Sequence, residues 1–412
     1  MQTYLVGGAV RDQLLGLEVR ERDWVVVGAT PDEMERLGYR RVGRSFPVYI
    51  HPVSGEEYAL ARTERKTAPG YRGFSVNATP GVTLEEDLQR RDLTINAMAQ
   101  DDAGRIVDPY GGQKDLANRC LRHVSDAFRE DPVRILRVAR FAARFAPQGF
   151  SVAPETMELM RDMVRAGEAH ALVPERIWQE TEAALDAPRP DVFIGILREC
   201  EALAVIFPEI DALWGVPQPA RWHPEIDTGT HLLMALRQAA LLSPSPEVRF
   251  AVLVHDLGKG TTPPERWPRH TGHEERSVEL AGALCKRVGA PNRFRDLGVA
   301  VARYHGLAHR ALELRPATIL KLLEAVDAFR RSSRFEDFLL ACEADSRGRL
   351  GLADAPYPQA DWLRRALRAA KSVDAGAIAS QGLEGEAVGQ AVHEERARAI
   401  AAELAAARTG TP

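Results

Sequence analysis

Two pairs of residues near the amino end carry the first chemistry: Gly7-Gly8, which follow the apolar run Tyr4-Leu5-Val6, and Glu21 with Asp23, which lead into Trp24 to Val27. Carboxylates two apart on a strand project from one face and offer hard oxygen ligands to Mg²⁺ carrying a triphosphate. A pair of such ions can stabilise both the attacking and the leaving oxygen of an in-line displacement. Adjacent glycines at a strand-to-helix turn let the backbone approach a phosphate, and the N–H groups and dipole of the following helix favour negative charge there. Strand, glycine turn, helix and acidic strand, in that order, describe a site for transferring a nucleotide. Each piece alone is more often a plain turn or a solvated strand edge; it is their order and closeness that point to a site.

Two further stretches are rich in arginine. In 87–98, Arg90 and Arg91 stand beside Asp92. Paired guanidinium groups could clamp a triphosphate while the acid accepts from a ribose hydroxyl, a structural ion-pair cluster being the alternative. In 129–140, Asp131 is expected to cap a helix with Pro132 in its first turn. Arg134, Arg137, Arg140 and Arg144 then recur at helical spacing along one side. Four like charges facing nothing would repel, so the stripe predicts an anionic partner; a solvated face with distant acids is the alternative. Farther along, seven of the eleven histidines fall between 223 and 350, including the adjacent pair His255-Asp256, one nitrogen and one oxygen ligand for a divalent ion.

The elements that must position these groups change character along the chain. Residues 1–110 read as short β-rich runs (24–27, 48–51, 57–61, 94–99, 106–108) in an α/β or α+β head, with 66–80 expected as a long mobile loop. Beyond about 125 the period is helical, broken by prolines at 188 and 190, 217 and 219, 244 and 246, and 263 and 264, and a terminal helix is expected over 387–407. With 412 residues, 45% hydrophobic and 27% charged, the chain is globular and long enough for two to four domains. A net charge of −4 argues against a wholly basic surface but leaves room for a local basic stripe on nucleic acid. Its four cysteines lie far apart with no Cys-x-x-Cys pair, which predicts buried free thiols. No run approaches the roughly 18 apolar residues of a membrane span, and a cytoplasmic location without membrane contact is expected.

Taken together, the motifs Leu5 to Asp12, 87–98, Glu130-Asp131-Pro132-Val133-Arg134 and His255-Asp256 resemble those of bacterial tRNA nucleotidyltransferases. The resemblance is to the CCA-adding enzymes of the eubacterial-eukaryotic class, in the long form with an appended HD phosphohydrolase domain, and it spans essentially the whole chain. It implies an α+β fold: a polymerase-β-like nucleotidyltransferase head of small sheet plus helices (1–125), an all-α neck and body for nucleotide selection and tRNA contact (126–222), an all-α HD domain (223–350) and a helical C-terminal region (351–412).

Carried over residue by residue, the resemblance places Gly8 and Arg11 on the nucleotide's phosphates and Arg91 with Asp92 on triphosphate and ribose. Arg137 and Arg140 would complete nucleotide binding, with Mg²⁺ on Glu21 and Asp23. Asp131 and Arg134 would read the base edge, because a carboxylate accepts from an exocyclic amine and a guanidinium donates to a ring nitrogen, a pattern C and A share and G and U lack. The family usually has Asp-x-Asp where this chain has Glu21-Arg22-Asp23, so the metal position is expected to tolerate the longer glutamate. Glu57 is a candidate third carboxylate. In the HD half, His231, His255, Asp256 and Asp345 would hold Ni²⁺ or another divalent transition metal that polarises water, with His255 and Asp256 as catalytic residues. His273 and His305 would serve a substrate phosphate or a second metal.

The expected activity is template-independent addition and repair of the tRNA 3′-terminal CCA from CTP and ATP. Hydrolysis of 2′,3′-cyclic phosphates, 2′-nucleotides and phosphate monoesters by the HD half accompanies it. The rivals are a poly(A) polymerase of the same superfamily and an HD phosphohydrolase with a non-catalytic tRNA-binding head. A monomer is expected, with a homodimer as the alternative.

Overall fold

The computed structural model describes residues 1–42, 48–66, 74–380 and 385–409, and the chain divides into two units, Met1–Ile206 and Phe207–Pro412. The first opens with strand β1 (Gln2–Val6), helix α1 (Gly8–Leu14), β2 (Asp23–Val27), α2 (Pro31–Arg36), β3 (Arg40–Val42), β4 (Val48–Ile50) and β5 (Glu57–Leu60). There follow β6 (Thr63–Lys66), β7 (Phe74–Asn77), α3 (Leu84–Gln89), β8 (Ala99–Gln100), β9 (Ile106–Val107), α4 (Gly112–Ala117) and β10 (Cys120–Leu121). Among the described residues, a seven-stranded mixed sheet runs β3-β4-β5-β2-β1-β8-β9. Period-two alternation on β2 feeds two cores: Val25 packs with Val6, Leu88 and Ala97, while Val26 packs with Met34, Tyr49 and Leu60.

Three expectations are corrected here. Glu21 is not on a strand: the β1–β2 register ends at Val6↔Asp23, because Gly7 (φ 68°) turns the chain out of the sheet and leaves Glu21 no partner strand. The run 94–99 is a 3-10 turn over Thr94–Asn96 followed by β8. Its polar side chains turn inward, Thr94 to Asp115 at 2.7 Å and Asn96 back to Asp92 at 2.9 Å, which stabilises a turn over an extended strand. The expected loop 66–80 includes β7, paired antiparallel with β6 from Thr63↔Asn77 to Lys66↔Phe74; residues 67–73 lie outside the described residues.

The rest of unit 1 comprises α5 (Val133–Phe145), β11 (Ser151–Val152), α6 (Pro154–Arg165), α7 (Pro174–Asp186), α8 (Pro190–Glu199) and α9 (Ala202–Ile206). The two-residue β11 pairs parallel with β10. Asp131 is extended (φ −126°), its Oδ1 accepts from the Val133 N–H at 3.1 Å, and Pro132 already has helical angles. The expected cap geometry is therefore present, with the regular helix counted from Val133. On the face opposite its arginines α5 buries Ile135, Leu136, Val138, Ala139 and Phe145, packing on α7 and α8.

Unit 2 is helical: α10 (Pro208–Asp211), α11 (Thr228–Leu242), α12 (Pro246–Val254), α13 (His273–Val288), α14 (Asn292–His309), α15 (Pro316–Ala325), α16 (Ser332–Arg347), α17 (Pro358–Lys371), α18 (Ala375–Ala379) and α19 (Glu386–Thr409). Every residue of α12 from Val248 to Val254 is buried. It is the central helix, apolar on nearly all sides as a helix enclosed by others must be. Prolines start α12, α15 and α17, where a missing N–H costs no helical hydrogen bond. All four cysteines are free thiols, Cys200, Cys285 and Cys342 buried. No helix among the described residues is long and apolar enough to cross a membrane.

Candidate active sites

One cavity in unit 1, about 630 Å³, gathers the head residues singled out by sequence. Gly7, Gly8 and Arg11 line it from the β1–α1 turn, Glu21 and Asp23 from the edge of β2, and Arg91 and Asp92 from the end of α3. Asp131, Arg134, Arg137 and Arg140 line it from the start and side of α5. Glu57 does not line it, although its Cα pairs with Asp23 in the parallel β2–β5 register, so both side chains leave the same face of the sheet. Gly7, at φ 68°, has a backbone conformation that side chains rarely adopt, and a Cβ there would lie 2.8 Å from Arg91 Nη1 and displace that guanidinium.

The arginine stripe does not face nothing, which corrects the repulsion argument. Arg137 Nε donates to Asp92 at 2.7 Å, Arg140 Nε to Glu180 at 2.5 Å and Arg144 to Asp12 at 2.9 Å. Arg134 is buried and donates to the carbonyls of Ala127 and Arg90. Nine arginines and four carboxylates nonetheless line the cavity among the described residues, an excess of positive charge suited to a polyphosphate.

Asp92 accepts from the Leu93 N–H at 2.8 Å, Asn96 Nδ2 at 2.9 Å and Arg137. Burial alone would raise its carboxyl; the Arg137 charge and the hydrogen bonds from Asn96 and Arg137 outweigh it and hold the group well below the usual range. Arg11 is buried, bonded to Asp12 and to Asn96 Oδ1, and stacked near Phe141 and Phe145; burial lowers its pKa against the pull of Asp12. Asp23 is exposed to solvent at the mouth, yet partial desolvation raises its carboxyl, opposed by Arg91 and reinforced by Glu21. Two carboxylates side by side in an open site fit a pair of oxygen ligands for a cation.

Sequence reasoning missed Arg176, whose guanidinium grips both oxygens of Asp131 at 3.0 and 2.8 Å. It also missed Glu180, Asn96 and Asp12. Arg176 and Glu180 lie on α7 four residues apart, so an i, i+4 spacing of Arg and Glu was the available signal.

In unit 2, His231 on α11, Asp345 on α16 and the pair His255-Asp256 meet in the interior, all buried. His231 Nε2 lies 2.9 Å from Asp345 Oδ1, and His255 Nε2 lies 3.1 Å from Asp256 Oδ2 and 3.6 Å from Asp345 Oδ1. His273 and His305 approach the other oxygen of Asp256 at 3.3 and 3.7 Å. Helix α12 ends at Val254, and His255-Asp256 form the joint to a 3-10 turn over Leu257–Thr261. The chain is drawn off its axis because Gly258 packs on α13, where a Cβ would lie 2.2 Å from the His273 carbonyl oxygen.

The tautomers follow from the backbone. Nδ1 of His255, His273 and His305 sits 2.7, 3.0 and 2.9 Å from the carbonyls of Val252, His270 and Val301. A carbonyl only accepts, so each Nδ1 carries the hydrogen and each Nε2 lone pair points inward. His255 Nε2, His273 Nε2 and Asp256 Oδ1 are buried without aligned hydrogen-bond partners. These buried lone pairs and carboxylates, with ligand atoms of His231, His255 and Asp256 within 4.8 Å of one another, fit a divalent cation. Burial opposes charging His255, but Asp256 and Asp345 outweigh it and raise the imidazole to about 10, so a cation that takes its Nε2 displaces a proton there; burial pushes His305 down to about 3. Missed here were His309, 2.7 Å from Asp345, Lys259, 2.6 Å from Asp256, and Glu225, 3.0 Å from His231 Nδ1. A cavity of about 1120 Å³ opens beside the cluster, bordered by Lys259, His223, His273 and His309.

Three families match successive parts of the chain: Poly A polymerase head domain over 3–122, Probable RNA and SrmB-binding site of polymerase A over 149–213 and HD domain over 228–329. The Multifunctional CCA protein of Thioalkalivibrio sulfidiphilus is 66% identical over 400 residues, 97% of this chain and 98% of that one. Its counterpart in Methylococcus capsulatus is 60% identical, covering 100% and 97%. A Bacillus stearothermophilus CCA-adding enzyme in complex with CTP shares the fold with a TM-score of 0.62 at 23% identity, covering 97% of this chain and 89% of that one. A Thermotoga maritima CCA-adding enzyme complexed with tRNA gives 0.63 at 18%, covering 98% and 91%.

Proposed function

The chain belongs to the multifunctional CCA protein family, and from that premise we infer that unit 1 is a tRNA nucleotidyltransferase that adds CMP, CMP and AMP from CTP and ATP to a tRNA 3′ end, and that unit 2 is a metal-dependent phosphohydrolase. The observation that carries the first reading is the single cavity shared by Glu21, Asp23, the arginines and the Asp131–Arg134 pair. Arg11, Arg91, Arg137 and Arg140 hold the triphosphate, and Asp92 is oriented by Asn96 and Arg137 to accept from the ribose. Asp131 and Arg134 present one acceptor and one donor set to the base edge, their directions locked by Arg176 and by the Ala127 and Arg90 carbonyls. Mg²⁺ on Glu21 and Asp23 supplies charge neutralisation at the phosphates. Beyond that, phosphoryl transfer asks the protein for positioning and electrostatics.

In unit 2, His231, His255, Asp256 and Asp345 hold the second cation, Ni²⁺ or a similar transition metal, which supplies a Lewis acid for phosphate-ester hydrolysis. The backbone carbonyls keep the imidazoles in the ligating tautomer, and Lys259 holds Asp256 from the cavity side. The substrates are nucleoside 2′,3′-cyclic phosphates, 2′-nucleotides and phosphate monoesters. Incubation with tRNA lacking its terminus and all four labelled nucleotides tests the first activity: two C and one A are expected, and a ladder of A would establish a poly(A) polymerase instead. Hydrolysis of a cyclic phosphate without any CTP incorporation in Mg²⁺ would leave only the phosphohydrolase reading.

A further inference from the structure

Trp222 is 56% exposed, the one aromatic side chain among the large apolar side chains left exposed in the described residues. It borders the unit 2 cavity. Its position is built. The strap 217–227 is clamped at its base by the Gln218 N–H on the Ile226 carbonyl at 2.7 Å and at its side by the Leu350 N–H on Glu225 at 3.1 Å. Ile226, β-branched, is held at φ 62°, a strained conformation that persists only where the surroundings impose it. Arg221 lies with its guanidinium carbon 4.8 Å from the Trp222 ring centroid, adding a cation to the platform.

The cavity floor carries an unmet donor. Gln218 is 2% exposed; its Oε1 accepts from Lys259 at 2.6 Å, which turns Nε2 away, and Nε2 is buried without a partner. Gln218, Lys259, Arg310 and Arg349 border the same space. At about 1120 Å³ the space far exceeds what a phosphate group needs.

We propose that the strap is a nucleobase subsite: Trp222 stacks on the base of a nucleotide substrate whose sugar-phosphate runs along Gln218 and Lys259 to the histidine–aspartate cluster. The subsite makes unit 2 selective for nucleotide esters over simple phosphate esters, and it rests on the phosphohydrolase reading. No bond changes at Trp222; it acts on binding alone.

The test compares cytidine 2′,3′-cyclic phosphate with glycerol 1,2-cyclic phosphate, which carries the ester without a base, on the full chain loaded with Ni²⁺. Trp222→Ala is expected to lower the preference for the cytidine ester about tenfold through KM with kcat retained, and Trp222→Phe to restore it. Unchanged kcat/KM on glycerol 1,2-cyclic phosphate, which has no base to stack, checks that unit 2 of the same preparations is folded. If the wild-type protein hydrolyses neither ester, the phosphohydrolase reading falls and the subsite with it. If it hydrolyses both and Trp222→Ala leaves the preference unaltered, the reading stands and the stacking is overturned.

Discussion

The two candidate sites solve opposite electrostatic problems. The unit 1 cavity is open and lined by guanidinium groups resting on the chain's own acids, Arg137 on Asp92, Arg140 on Glu180 and Arg144 on Asp12. The unit 2 cluster is buried at His231, His255, Asp256, His305 and Asp345 and half-buried at His273 on its cavity side, with its ligand atoms turned toward one another. An anionic ligand that enters and leaves needs charge that is already compensated in its absence, or the free site would repel itself. A resident cation needs ligands that are costly to leave without it. The contrast teaches that a row of arginines in sequence marks a place for an anion, while the local acids decide how strongly that place is strained before the anion arrives.

The sharpest way to break the comparison is to disable each site separately. Asp23→Ala should reduce CCA addition about a thousandfold and leave hydrolysis of cyclic phosphates intact, and Asp256→Ala should do the reverse. Parallel steady-state assays on each variant check this; a variant that abolishes both activities would mean the sites are not independent. Next in size, stripping divalent metal with a chelator should lower the unfolding temperature of unit 2 in calorimetry. At a free cation concentration of about 100 Kd the linked stabilisation is about 2.7 kcal/mol. Unit 1, whose ligands are open to water, should hardly move.

Arg134→Ala should relax the choice of C and A over G and U by roughly ten- to a hundredfold in competition assays. It should also cost stability, because the Ala127 and Arg90 carbonyls lose their donor. Unchanged nucleotide choice would remove the side-chain template. The smallest effect is on acid stability. Asp92 has its folded pKa depressed, mainly by Arg137 and Asn96 against burial. Its contribution is therefore complete above the unfolded value of about 3.9 and is lost as pH falls through the folded value. Asp92→Asn should flatten the acid limb of unit 1 stability measured by denaturant titration between pH 5 and pH 2.

Much of both sites was legible. Gly7-Gly8, Asp23, Arg91-Asp92 and the stripe on α5 are local patterns, and local patterns follow from the two or four residues around them. Glu21 was misread as a strand residue because strand ends depend on a partner's length, here on where β1 turns at Gly7. The strand expected over 94–99 failed for a similar reason: Thr94 and Asn96 are bonded to Asp115, Asp92 and Arg11, and two of these three lie outside any short window. The pairing of Arg176 with Asp131 and of Glu225 with His231 could not be read locally, because these partners become neighbours only through helix packing or a clamped strap.

What the sequence alone determined is the chemistry available: which residues can ligate, pair or turn, and in what order along the chain. The tertiary structure decided which of them meet. Asp345 reaches His231 from 114 residues away, and Asp12 reaches Arg144 across 132. Contacts of that range form through the packing of whole helices and strands, whose hydrophobic and steric terms are summed over many residues and written in no single motif.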